Sequence, residues 1–95
     1  MVFQDIQRLI EQNNLIHHED GGHSWLQVPH ALIKKLGIKP SGYSYRDKDF
    51  AYLEEDCDMG LFIRAAGLTG DMQTFWQLCP RSYFDDSPIR NKRHY

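Results

Sequence analysis

Four carboxylates crowd into the five positions Glu54-Glu55-Asp56-Cys57-Asp58. Such a cluster has three chemical uses: binding a divalent metal, sharing proton transfers, or stabilising the start of a helix. With His23 as a nitrogen donor, Glu54, Glu55 and Asp58 would form the centre of a small metal-dependent hydrolase or nuclease. The spacing opposes that use, because successive strand residues point to opposite faces and Glu54 and Glu55 should diverge. The expected arrangement is a strand-to-helix junction in which Glu54 is an exposed strand residue, Glu55 begins the turn, and Asp56 or Asp58 caps the helix. One cap needs only one or two acids. The surplus at Glu54, Glu55 and Asp58 is therefore assigned to partner recognition and expected to be removable without unfolding the domain.

Cys57 stands at the start of the same helix, where a thiol pKa can fall. Its acidic neighbours disfavour a thiolate, so a buried, inert cysteine is expected. Cys57 and Cys79 are too few for a disulfide framework and lack the spacing of a redox or zinc motif. His17, His18, His23 and His30, with Glu19 and Asp20, match no structural-metal signature and are expected on the surface around the Gly21-Gly22 turn. No cofactor is expected, and the glycines form neither a Walker loop nor a dinucleotide fingerprint.

Two further groups suit partners. The segment Arg90-Asn91-Lys92-Arg93-His94-Tyr95 combines cations with an aromatic ring, a composition that grips phosphates and stacks on bases. It is short and follows Asp85-Asp86, so residues 81–95 are expected to be a solvated tail offering Arg90, Lys92 and Arg93 to a protein or nucleic acid. Tyr43 and Tyr45 share one face of an aromatic hairpin, and Phe50 and Tyr52 likewise share one. One such face should enter the core. An exposed one, with Tyr43 and Tyr45, would be a contact surface.

These groups must be positioned by one small domain, since the chain has 95 residues, 41% hydrophobic and 13% aromatic. The formal charge of −2 gives no global attraction to nucleic acid or anionic membrane. No apolar run approaches the roughly 20 residues of a membrane helix, and a soluble cytoplasmic protein is expected.

Phe3, Ile6, Leu9 and Ile10 predict an amphipathic first helix ending near Asn13-Asn14. A strand is expected at His23–Val28, a helix from Pro29 to about Leu36, and a hairpin at Tyr43–Arg46 and Phe50–Glu54 around Asp47-Lys48-Asp49. A third helix follows Asp56 or Asp58, and a last strand is expected through Thr74–Leu78. Leu32–Ile38 and Phe62–Leu68 repeat the same apolar, basic and glycine pattern 30 residues apart, which predicts two helices with the same glycine cap. The fold class is thus α+β: an N-terminal helix, then β-α-β-β-α-β over residues 1–80, with helices on one face of a four-stranded antiparallel sheet in ferredoxin-like order.

The stretches Asp20–Pro29, Gly42–Tyr45, Tyr52–Asp58 and Leu61-Phe62, with a looser match at Ser87–Asn91, resemble a group of small uncharacterised proteins encoded by bacterial phages and plasmids. The similarity spans roughly residues 20–66 and carries no catalytic assignment. It implies a mobile-element accessory protein that binds a host or bacterial-defence protein, with anti-CRISPR-like inhibition as one form.

Overall fold

The computed structural model describes residues 1–95 and is α+β, with four α-helices and a six-stranded mixed sheet. In chain order the elements are α1 (Phe3–Asn13), β1 (Ile16–Glu19), β2 (Ser24–Pro29), α2 (His30–Leu36), β3 (Tyr45–Arg46) and β4 (Phe50–Glu54). They continue with α3 (Met59–Ala65), α4 (Met72–Leu78), β5 (Arg81–Tyr83) and β6 (Arg93–His94). The sheet order is β5-β1-β2-β4-β3-β6, antiparallel throughout except for the β1–β5 pair. No helix is long and apolar enough to cross a membrane.

The alternation of β2 and β4 sorts the two faces. Leu26 and Val28 pair with Leu53 and Ala51, and all four are buried on the face covered by Ile6 and Ile10 of α1, Phe62 and Ile63 of α3, and Phe75 of α4. The repeated cap is present twice. Gly37 and Gly67 both take left-handed φ, and Ile38 and Leu68 return their N–H groups to the carbonyls of Ile33 and Ile63 at 3.1 and 2.9 Å.

Three segments differ from the sequence expectation. Thr74–Leu78 lies in helix α4, because Phe75, Trp76 and Cys79 fall on one helical face, and their packing against the core overrides the strand preference of the Thr-Phe-Trp run. His17-His18-Glu19, expected in a loop, forms β1. Its polar side chains find partners there: the His17 ring packs on Trp76 at 4.7 Å, and His18 Nε2 contacts Gln27 Oε1 at 2.9 Å. The four-stranded expectation thus becomes six strands, with residues 81–95 supplying both edges as β5 and β6.

The second sheet face has its own small core, which the C-terminal segment closes. Trp25, Tyr52 and Ile89 are buried together, with Tyr45 and Phe50 against them. Ser87 Oγ accepts the Ile89 N–H at the start of a 3-10 turn over Pro88–Asn91 that sets Ile89 over the aromatic rings.

Candidate functional site

The acidic cluster is divided among separate tasks. Glu54 is buried at the end of β4, and its Oε2 accepts the Cys57 N–H at 3.0 Å, which shapes the junction. Asp58 is 2% exposed and occupies the residue before α3, but its side chain does not cap that helix. Its Oδ2 instead accepts the Ser41 N–H at 2.7 Å, the Ser41 hydroxyl at 2.9 Å and the Ser44 hydroxyl. Ser44 Oγ also accepts the Glu54 N–H at 2.9 Å, so Asp58 ties the loop before β3 to the end of β4. Removing Glu54, Glu55 and Asp58 together would therefore strip two interior groups, contrary to the expectation that the three are expendable. Only Glu55 and Asp56 remain exposed.

The alternative metal set does not assemble. No three His, Cys, Asp or Glu side chains converge in metal-binding geometry, because Asp58 faces the serines while Glu55 turns toward His23 and Ser24. Glu55 Oε2 accepts the Ser24 hydroxyl at 3.0 Å, and Glu55 Oε1 lies 3.6 Å from His23 Nδ1. The serine proton is thus directed at a carboxylate and not at a histidine base, unlike a nucleophilic triad. Cys57 is exposed, not buried as expected, in the turn between β4 and α3; Cys79 is the buried one. Desolvation, together with Glu54, Asp58 and Asp56, raises the Cys57 thiol pKa, so the acids suppress its reactivity.

The basic segment is likewise committed to the fold. Arg90 grips the buried Asp20 carboxylate through Nε at 2.5 Å and a terminal nitrogen at 3.1 Å, and its guanidinium lies 5.3 Å from the Trp25 ring centroid. Lys92 bonds Asp47 Oδ2 at 3.0 Å and lies 5.1 Å from the Tyr52 ring centroid. Arg93 alone of the three remains exposed and without an acidic partner. Tyr43 is 70% exposed, whereas Tyr45 is half-buried between His94, at 4.3 Å, and Trp25, at 6.1 Å.

The two clamping acids give a pH signature. The Arg90 hydrogen bond, with the Gly22 and His23 N–H groups, outweighs burial and holds the Asp20 carboxyl well below the usual range. At Asp47 burial raises the pKa, but hydrogen bonds from Tyr52, Phe50, Lys92 and Asp49 together depress it further than burial lifts it. Folding is therefore favoured above the unfolded carboxylate pKa of about 3.9, and that advantage drains away as pH falls toward the lower folded-state values. Urea melts between pH 5 and pH 2 should show a steep acid loss of stability in the native chain and a flatter one in Asp20→Asn.

The principal concavity lies elsewhere, on the helical face. Met59, Ile63, Met72 and Trp76 of α3 and α4 line a cleft of about 470 Å³ whose polar groups include His17, Ser24 and Glu55. This volume falls within the roughly 300–1,000 Å³ of small-ligand and side-chain sites. His17 borders the cleft with its Nε2 buried and without a hydrogen-bond partner, and desolvation lowers the His17 pKa. Sequence reasoning missed this site. The i, i+4 pairs Met59–Ile63 and Met72–Trp76 were visible as apolar positions, but nothing in the sequence showed that the two helices would stand apart over His17. Comparison with protein-family models, with curated proteins and with solved structures found no match.

Proposed function

We propose that the chain is a non-enzymatic protein-binding module that receives an apolar side chain of its partner in the cleft between α3, α4 and the sheet. The observation that carries this reading is an open cleft of about 470 Å³ walled by Met59, Ile63, Met72 and Trp76, with Met72 44% exposed. Two methionines suit such a surface because their unbranched side chains adapt to an incoming shape. The polar rim carries both Glu55 and Arg64, which suits a partner segment with polar groups of either sign beside its apolar anchor. The resemblance to phage and plasmid proteins supports a host or bacterial-defence protein as partner, encountered in the cytoplasm, with anti-CRISPR-like inhibition as the sharpest form.

A displayed peptide library selected on the immobilised protein tests this site. Bound peptides should shift the Trp76 indole N–H resonance. Met72→Glu, an exposed change, should weaken them by about tenfold or more, equivalent to ~1.4 kcal/mol, while leaving the thermal midpoint in place. Peptides that bind without touching Trp76 and ignore Met72→Glu would remove the cleft from the proposal.

A further inference from the structure

At the far edge of the sheet, β3 and β6 place two arginines directly against each other. Arg46 pairs with Arg93 in the antiparallel ladder, and like charges facing across a ladder are destabilising. Neither arginine has an acidic partner, and neither does Lys48 in the adjoining turn. With His30 and Asp47 these three cations line a polar pocket of about 450 Å³ that contains no hydrophobic residue.

The rest of the pocket is built to leave the positive charge uncompensated. Asp47, its one carboxylate, is consumed by the Asp49 and Phe50 N–H groups, the Tyr52 hydroxyl and the Lys92 ammonium at 2.6–3.0 Å. The His30 ring nitrogen Nε2 donates to the Asp47 carbonyl at 2.8 Å, which fixes the wall of the pocket. Arg46 is steadied from below, with its guanidinium 5.3 Å from the centre of the Tyr95 ring. A protein whose formal charge is −2 thus concentrates three free cations around one concavity.

We propose that this pocket binds a phosphate group, carried by a nucleotide or by a nucleic-acid backbone. A phosphate presents several acceptor oxygens to the two planar guanidinium forks, and its charge offsets the repulsion of the Arg46–Arg93 pair. The site is separate from the α3–α4 cleft and stands whether or not that cleft binds a protein.

Amide chemical-shift titrations of the full chain with inorganic phosphate, AMP and a short oligothymidylate provide the test. The variants are Lys48→Gln/Arg93→Gln, both exposed, and Lys34→Gln/Lys35→Gln as a charge-matched control on α2. Shifts should centre on residues 46–48 and 93, weaken about tenfold or more in the pocket variant, and persist in the control. Tightest binding of AMP would identify a nucleotide as the source, and tightest binding of the oligonucleotide would identify the backbone. Absence of shifts at these residues with all three ligands, or equal loss in the two variants, would overturn the proposal. Melting provides a second readout: phosphate should raise the midpoint of the native chain and not that of the pocket variant.

Discussion

Ile89→Ala should lower the stability of the protein by about 3 kcal/mol, the cost of a large-to-small change at a fully packed position. Ile89 is 1% exposed and covers Trp25 and Tyr52, themselves 2% and 5% exposed. The loss reaches beyond one side chain, because Ile89 seats the turn that carries Arg90 to Asp20 and Lys92 to Asp47. Urea unfolding followed by circular dichroism measures it. A change within about 0.5 kcal/mol, the usual surface value, would show that residues 87–95 do not belong to the folded core.

Asp58→Ala should be comparably damaging, at roughly 3 kcal/mol, because it leaves Ser41 and Ser44 without the charged acceptor that joins their loop to β4. Asp56→Ala, two positions away and exposed, should stay within about 0.5 kcal/mol. The contrast between the two variants is the informative quantity. Equal, small effects would mean that the cluster is a uniformly solvated acidic surface, and the structural role assigned to Asp58 would fall.

Where sequence signals were local, they carried the fold well. The two helix ends at Gly37 and Gly67 were legible because the left-handed residue and its flanking apolar pair lie within six positions of each other. The aromatic hairpin was legible through alternation around Asp47-Lys48-Asp49. What was not legible depends on partners distant in sequence. His17 and His18 become strand residues only because Trp76 and Gln27 receive them, and the basic segment becomes part of the sheet only because Asp20 and Asp47 wait 70 and 45 positions upstream.

The same distinction explains the candidate site. Composition marked the acids of residues 54–58 as chemically capable, yet burial and three hydrogen bonds to one oxygen turn Asp58 into a tie within the fold. Of the residues first assigned to a partner, Glu55 lines the cleft and Arg93 lines the cationic pocket, while Glu54, Asp58, Arg90 and Lys92 are held inside the structure's own contacts. The His17 end of the cleft is a product of packing, since it needs β1 and α4 to meet.

The most direct test of the central claim is site-specific photo-crosslinking in living cells, with benzophenone side chains introduced one at a time at Met72 in the cleft and at Asp56 in the acidic turn. Both positions are exposed, so both variants should fold. A protein adduct formed at position 72 and not at position 56 is the predicted result. An adduct at position 56 with none at position 72 would contradict the account and return recognition to the acidic turn.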